Sequence, residues 1–252
     1  TPLLFEGTNV IKERQVYRPG GFQSGDGSTG KTDSYLFALG ANWNATDDLT
    51  VKTELLYQKS EFETDFFAMR FDRKAHGLDI DFNDKDGMPG IAFWDDPSTS
   101  VDESDMAEAA NWNTGTIYDN SGGNDGDAVT LTFDAEYVLD TNFIETVKFG
   151  GKYEKRGATS FTREQSGTNV MTLEDMAQAL VDAGASGDGT GFIYQVDNYM
   201  DGRADVFDSY ITANGVYLID NADVVRQVYG YTVDPIQKTF DIEETSYALY
   251  VT

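Results

Sequence analysis

The 252-residue sequence has no cysteine and a single histidine. The lack of cysteine excludes disulfides, thiolate metal sites and cysteine nucleophiles, and one histidine excludes a histidine-rich metal cluster. Basic residues are scarce as well, because 18 Lys and Arg stand against 44 Asp and Glu, for a formal net charge of -26. We therefore predict no nucleic-acid partner, since phosphates require a basic surface.

Long apolar runs are also missing, and none approaches the ~18–20 residues of a membrane-spanning helix. Aromatic residues, by contrast, make up 13% of the chain, with 14 Tyr and 16 Phe. An acidic disordered protein lacks such an aromatic content, so we expect a folded chain. Because the sequence starts at Thr1 without Met or a signal sequence, we expect it to be processed or excised from a longer protein.

The strongest pattern is an alternation of apolar and polar residues with a period of two, which is typical of half-buried β-strands. It predicts a β-hairpin within residues 32–60, with a polar turn at 44–48. A second hairpin is predicted within residues 128–157, with a turn at residues 140–142. Residues 242–252 predict the start of a fifth strand, which we interpret as truncated within a sheet.

Between these strands, residues 61–127 and 158–241 show no sustained alternation and are interpreted as two long acidic loops. The second loop is expected to contain a helix with Thr172 as N-cap and Gly184 at its end. A short helix is expected over Glu103–Ala110 in the first loop. Residues 1–31 predict one strand near Asn9–Tyr17, followed by a Gly/Ser-rich loop.

Short turns at one end of the strands and long loops at the other end are typical of an antiparallel up-and-down transmembrane β-barrel. Tyrosines and tryptophan near the strand ends, such as Tyr35, Trp43, Tyr57 and Tyr153, agree with the aromatic girdles of such barrels. The opposite face of the strands is ionic, and we expect it to line the lumen; the predicted lumen-facing residues are Lys52, Glu54, Asp134, Glu136, Lys148, Lys152 and Glu154. A soluble β-sandwich alternates in the same way and remains an alternative.

Three stretches are similar to the barrel of a TonB-dependent outer-membrane receptor of the proteobacterial type. They read YLFALGANWNATDDLTVKTELLYQKSE, LTFDAEYVLDTNFIETVKFGGKYEKR and FDIEETSYALYV. The loop stretch LDIDFNDKDGMPGIAFWDDPST resembles the large loops of the same family.

This resemblance implies a 22-stranded barrel in the bacterial outer membrane, closed by an N-terminal plug domain. The implied partners are outer-membrane lipid, the plug and the remaining barrel of the parent protein, and the TonB complex, which acts through the plug. The implied function is the energised uptake of a scarce nutrient, either an oligosaccharide or a metal chelate. The alternative function is that of a soluble or surface-attached β-rich glycan-binding module, for which Ca²⁺ is a candidate stabilising ion.

Two groups of loop residues are candidate binding sites. Asp81, Asn83 and Asp86 offer oxygen ligands at a spacing that a loose Ca²⁺ site could use, although an EF-hand loop does not fit the position of Gly87. Trp94 and Trp112 lie among Asp and Asn, a combination suited to sugar binding, and each could instead anchor a small loop core. A solvated acidic turn is the plain alternative for the calcium group.

No catalytic residues are predicted, and no cofactor is required. Adjacent acidic pairs such as Asp95-Asp96 and Glu243-Glu244 point to different sides of an extended chain rather than toward one bond. A single histidine without a nucleophile elbow supports no Ser-His-Asp arrangement. A β-sandwich hydrolase is therefore the least supported class.

Overall fold

A computed structural model describes residues 2–139, 141 and 143–252, and this part of the chain is mostly antiparallel β-structure. Its strands are β1 (Leu3–Leu4), β2 (Ile11–Tyr17), β3 (Gly20–Asn44), β4 (Leu49–Lys74), β5 (Gly77–Lys85), β6 (Met88–Trp94), β7 (Asn113–Val138), β8 (Thr146–Thr168), β9 (Ile193–Val196), β10 (Tyr210–Ala213) and β11 (Gln237–Val251). Its α-helices are α1 (Leu173–Asp182), α2 (Gly215–Asp220) and α3 (Ala222–Tyr229).

The largest sheet has five strands in the order β11-β8-β7-β4-β3, so neighbours in the sheet follow one another along the chain apart from the inserted elements. The predicted hairpin around residues 44–48 is confirmed, since β3 ends at Asn44 and β4 begins at Leu49. The strands of the second predicted hairpin and the fifth strand are confirmed as well. In the predicted turn of the second hairpin, Asp140 and Asn142 lie outside the described residues.

The prediction that residues 61–127 and 158–241 are two irregular loops is wrong. β3, β4, β7 and β8 are 25, 26, 26 and 23 residues long, and the last three run deep into these segments. The Gly/Ser-rich part of residues 1–31 also belongs largely to β3. Sequence patterning misses these extensions because glycine provides no side-chain period. At Gly123 in β7 a Cβ atom would lie 2.3 Å from the Phe62 carbonyl oxygen, so close strand packing selects glycine there.

The described chain divides into two compact units. The first, here called the core unit, comprises residues 2–28, Phe66–Asn120 and Glu164–Asp234. The second, here called the sheet unit, comprises Thr29–Asp65, Ser121–Arg163 and Pro235–Thr252.

The core unit contains a four-stranded sheet, β1-β2-β5-β6, a two-stranded sheet, β9-β10, and the three α-helices. Its hydrophobic core combines strand residues with residues of the helices and connections. The largest fully buried side chains are Phe67, Met69, Phe71, Trp112, Ile117, Leu173, Met176, Leu180, Phe192, Leu218 and Val225. Phe192 belongs to this core, and the partly buried Phe93 packs against it.

Helix α1 forms as predicted. The Thr172 hydroxyl accepts a hydrogen bond from the Asp175 amide at 3.0 Å, and Gly184 takes a left-handed φ of 99° after the C-terminus. Leu173, Met176 and Leu180 are buried on one face. The cap and the apolar spacing therefore act together at this position.

The predicted helix over Glu103–Ala110 is wrong, and only a short 3-10 helix forms at Ala109–Asn111. Here the Asp102, Asp105 and Glu108 carboxylates accept hydrogen bonds from backbone amides two residues further along. Such local bonds offer the backbone an alternative to helical pairing.

Asp86 and Gly87 form the two-residue turn between β5 and β6. Both have positive φ, 51° and 85°, and Lys85 pairs with Met88. An Asp-Gly pair with positive φ at both positions is favoured in two-residue hairpins, because its twist matches that of the flanking strands.

Within the described residues, none of the helices has both the length and the apolar composition needed to cross a lipid bilayer.

Replacing the N-cap of α1 provides a test of its local stability. Thr172→Ala is expected to lower the free energy of unfolding of the core unit by about 1 kcal/mol, because the Asp175 amide loses its side-chain acceptor. Val170→Ala, at an exposed neighbouring position, serves as the control. Thermal denaturation followed by circular dichroism makes the comparison, and an equal effect of the two substitutions would contradict the capping role.

Candidate functional site

The sheet unit presents an exposed apolar face, which we call the apolar belt. It consists of residues at alternate positions of the five long strands: Tyr35, Phe37, Leu39 and Trp43 in β3, Leu55 and Tyr57 in β4, Leu131, Phe133 and Tyr137 in β7, Phe149 and Tyr153 in β8, and Tyr247, Leu249 and Val251 in β11. Within β8 and β11 the shared face is visible in the pairing of Tyr153 with Tyr247 and of Phe149 with Val251.

No second layer of this unit covers the apolar belt in the described structure. Leu249 is 90% exposed and Phe37 54% exposed. Among the described hydrophobic residues of the sheet unit, only Ala135 is buried. Large contiguous apolar patches are uncommon on the surfaces of soluble monomers and are typical of surfaces that bind proteins or membranes.

At the end of the sheet away from the turn between β3 and β4, the apolar belt ends at tyrosines. Ion pairs follow these tyrosines along the strands. In β8 and β11, Tyr153 and Tyr247 contact each other with ring centroids 5.3 Å apart. Further from the belt, Lys155, two residues beyond Tyr153, and Glu243, four residues beyond Tyr247, form an ion pair of 2.8 Å. The pKa of Lys155 is raised, first through its hydrogen bond with Glu243 and then through the charge of that carboxylate.

The same order of groups recurs on the two strands at the other side of the sheet. In β4, Tyr57 is followed by an ion pair between Lys59 and Glu61. In β3, Tyr35 is preceded by Asp33 and Lys31, which form an ion pair of 2.6 Å. Aromatic rings with a polar tip therefore separate apolar from charged surface on four strands.

On the side of the sheet formed by β7, β8 and β11, the apolar belt contains a groove of about 560 Å³. Phe133 and Phe149 line it with ring centroids 6.2 Å apart. Gly151 also lines the groove, and a Cβ atom there would lie only 2.9 Å from the Leu249 side chain.

The opposite face carries the predicted lumen residues and pairs their charges. Lys148 contacts Glu136 at 3.2 Å, and Lys152 contacts Glu154 at 2.9 Å. Lys52 and Glu54 are exposed on β4. Cross-strand and same-strand pairs of opposite charge stabilise a polar sheet face without a second layer.

Gly150 allows a contact across an intervening strand on this polar face. The Tyr250 hydroxyl of β11 donates a 2.7 Å hydrogen bond to Asp134 Oδ1 of β7, although β8 lies between the two strands. A Cβ atom at Gly150 would lie 2.7 Å from the Tyr250 ring and 2.5 Å from Asp134 Oδ1. Glycine therefore leaves the space through which the tyrosine reaches its partner.

In the core unit, Arg73 is the most enclosed cationic residue among those described. It is 6% exposed, donates to the Glu103 carbonyl at 2.9 Å and lies 4.5 Å above the centre of the Phe93 ring. Burial lowers the pKa of its guanidinium, and the nearby Glu103 carboxylate opposes this shift. Glu103 also accepts a hydrogen bond from the His76 amide, so this group organises the connection after β6.

Asp119 anchors the segment around α3. Its two oxygens accept hydrogen bonds from Arg226 Nε and Nη2 at 2.7 and 2.8 Å, and the Tyr231 hydroxyl donates to the same carboxylate at 2.9 Å. Burial and the neighbouring Asp119 charge raise the pKa of the Tyr231 hydroxyl. Bidentate geometry makes the pair with Arg226 a strong contact.

The two acidic partners of Arg226 permit a matched comparison. Asp119→Ala should lower the free energy of unfolding of the core unit by about 1.5–3 kcal/mol, because it removes a carboxylate that is 2% exposed and accepts charge-assisted hydrogen bonds from Arg226. Asp223 lies 2.7 Å from the same guanidinium with a side chain 96% exposed. Asp223→Ala should therefore cost at most about 1 kcal/mol. Chemical denaturation of both variants tests this, and equal losses would be incompatible with a buried anchor.

Gly150 can be tested against a glycine of the same sheet unit that has room for a methyl group. Gly150→Ala is expected to destabilise the sheet by about 1–3 kcal/mol, since the new methyl clashes with backbone and side-chain atoms. Gly126→Ala is the control, because its nearest atom, the Gly157 carbonyl oxygen, lies 3.8 Å away. The unfolding midpoints of the two variants are measured in the same medium. A loss in Gly150→Ala alone indicates a steric effect of the methyl group, whereas equal losses indicate the conformational effect of replacing glycine.

The two predicted ligand-binding tryptophans are not brought together as one site. Trp112 is 1% exposed, and its Nε1 donates to the Met106 carbonyl at 3.1 Å. It therefore packs in the hydrophobic core and presents no ring face to a ligand. Trp94 lies partly buried at the end of β6, where its Nε1 donates to Asp79 at 2.9 Å and its ring contacts Tyr17.

The predicted calcium ligands lie in a regular hairpin rather than in an irregular loop. Asp81 is in β5, where it accepts a hydrogen bond from the Asn83 amide and lies 3.7 Å from Lys12. Asp86 occupies the turn before β6. Within the described ranges, no group of three or more His, Asp or Glu side chains is arranged to hold a metal ion.

Sequence reasoning missed Gly150, Tyr250 and the ion pairs that border the apolar belt. The pairing of Gly150 with Tyr250 is the available signal, but it can be read only once the register of β8 and β11 is known.

A comparison of the chain with models of known protein families and with curated protein sequences found no match.

Proposed function

We propose that the chain is part of the barrel of a TonB-dependent outer-membrane transporter, which takes up a scarce nutrient by energised transport. The ligand classes are those that the sequence resemblance implies, an oligosaccharide or a metal chelate. The plug, the remaining barrel and the TonB complex are its implied partners.

The observation that carries this proposal is the uncovered apolar belt of a one-layer antiparallel sheet. From Tyr35 to Trp43, at ~3.3 Å per residue, the belt extends about 26 Å along β3. A strand tilt of 35–45° reduces this length to roughly 20 Å of height, close to the ~25 Å apolar band of outer-membrane barrels. Tyrosines at one border correspond to the headgroup level.

The opposite face supports the same proposal. Its charges are paired, as in Lys148–Glu136, and a water-filled or plugged interior tolerates such pairs. The outer strands β3 and β11 need further strands beside them, because unpaired backbone groups are not stable in lipid. The parent protein would supply these strands.

A second candidate is the soluble or surface-attached β-rich glycan-binding module. The observation in its favour is the core unit, whose packed hydrophobic core includes Trp112, Phe71 and Leu218. Under this candidate the apolar belt contacts protein rather than lipid. The isolated chain would then be monodisperse without detergent, and chelation of Ca²⁺ would lower its stability if the ion contributes.

Quenching of Trp43 fluorescence by brominated lipids distinguishes the two candidates. Trp43 is 64% exposed in the apolar belt, whereas Trp94 and Trp112 belong to the core unit. In vesicles of brominated phosphatidylcholine, we expect quenching in the wild type and loss of most of this quenching in Trp43→Phe. Equal quenching in both proteins would show that Trp43 is not in lipid.

Transport is a separate claim that requires a plug. The sequence of the parent protein tests it, because a parent without an upstream plug domain would exclude TonB-dependent transport. The lipid contact of Trp43 would be unaffected by that outcome.

A further inference from the structure

One face of the four-stranded sheet in the core unit combines aromatic rings with polar groups. Side chains that pair across β2, β5 and β6 share this face, and the three rows are Tyr17, Gly77 and Trp94; Gln15, Asp79 and Ala92; Glu13, Asp81 and Gly90. The opposite face carries Val16, Leu78 and Phe93, of which Phe93 packs against the hydrophobic core. The aromatic and polar face is therefore the outer one of this sheet.

Tyr17 and Trp94 form a corner of two rings on this outer face. Their centroids are 4.9 Å apart and their planes meet at 76°. Tyr17 is 72% exposed, although β2 is paired on this stretch with β5. A large aromatic ring that is ordered in a strand and left open to solvent is a feature of binding surfaces.

The position of Trp94 is fixed without a ligand. Its Nε1 donates a 2.9 Å hydrogen bond to Asp79 Oδ2. Its ring lies over Gly77, where a Cβ atom would be 2.2 Å from the ring. A corner held in place in this way costs little ordering entropy when a ligand binds.

A cleft of about 350 Å³ is lined by the two polar rows of the same sheet. Gln15, Asp79, Asp81 and Glu13 line it, together with Leu3, Arg14 and Ile80. Lys12 forms ion pairs with Glu13 at 2.9 Å and with Asp81 at 3.7 Å. The lining therefore offers carboxylate acceptors and one amide that both donates and accepts.

The chemistry of this surface matches a neutral polyhydroxylated chain. Aromatic rings pack on the apolar C–H faces of a sugar, and carboxylate and amide groups bond its hydroxyls. Asp79, Asp81 and Glu13 outnumber the cations Lys12 and Arg14 by one, so the surface disfavours an anionic ligand. We infer that Tyr17, Trp94 and the adjoining cleft are a subsite for a neutral oligosaccharide. This inference selects one of the two ligand classes of the proposed function. The role of the subsite in uptake rests on that function.

Binding to the full-length protein in detergent tests this inference. The probes are an array of neutral oligosaccharides, including maltohexaose, laminarihexaose and xylohexaose, with oligogalacturonate as the anionic comparison. Affinities of the probes that bind are then measured by isothermal titration calorimetry. We expect a neutral probe to bind, oligogalacturonate not to bind, and Tyr17→Ala to weaken binding of the neutral probe by about tenfold or more.

Two further variants separate the subsite from general effects. Gly77→Ala removes no ring and no polar group, but its methyl displaces Trp94, so the affinity should fall as in Tyr17→Ala. Tyr194→Ala, which removes an aromatic side chain 56% exposed elsewhere in the core unit, should leave the affinity within twofold. Circular dichroism spectra of all variants verify that each is folded.

The inference is overturned if no neutral probe binds the wild type, or if Tyr17→Ala and Gly77→Ala bind as the wild type does. Quenching of Trp43 by brominated lipid, measured on the same preparations, reports on the membrane proposal alone. Quenching without sugar binding would reject the subsite and leave the transporter barrel in place. Sugar binding without quenching would reject the barrel and retain the subsite in a glycan-binding module.

Discussion

Among the described residues, the apolar belt of the sheet unit has no covering layer within that unit, and the proposed function depends on this constraint. A hydrophobic side chain stabilises a fold only when other atoms remove it from water, at about 25 cal/mol per Å² of buried apolar area. Phe37, Phe133 and Leu249 remain exposed in the described structure. The sheet therefore lacks, within itself, the burial that normally offsets the entropy of ordering its strands. Under the proposed function, lipid supplies that burial.

The two units differ in how far their own residues bury their apolar side chains. The core unit places Phe71, Leu180 and Phe192 behind helices and connecting segments, so its apolar residues have their partners within the chain. The sheet unit instead arranges its residues in order of polarity along each strand, from apolar side chains through tyrosines to paired charges such as Lys155 and Glu243. Under the proposed function, this gradient follows the change from hydrocarbon to headgroups to water.

The sequence predicted what depends on local rules and missed what depends on partners. Alternation identified the strand segments of the apolar belt, and Thr172 identified the start of α1, because both signals lie within a few residues of one another. The length of β7 was missed, since the glycine-rich part of this strand is held by packing against Phe62 and Phe161 from other strands. Trp94 could be nominated as a ligand-binding residue from its type alone. Its partner Tyr17, 77 positions earlier in the sequence, emerges only from the register of β2, β5 and β6.

The contact of Asp119 with Arg226 and Tyr231 has a consequence for the covalent integrity of the core unit. The chain between α1 and α2 contains Gly184, Gly187 and Gly189, all with left-handed φ, in a connection with many exposed residues. A protease that cleaves there leaves two fragments, and the carboxylate on one fragment remains hydrogen-bonded to the guanidinium and phenol on the other. A nicked chain would thus migrate as one species under native conditions and separate into two only after denaturation.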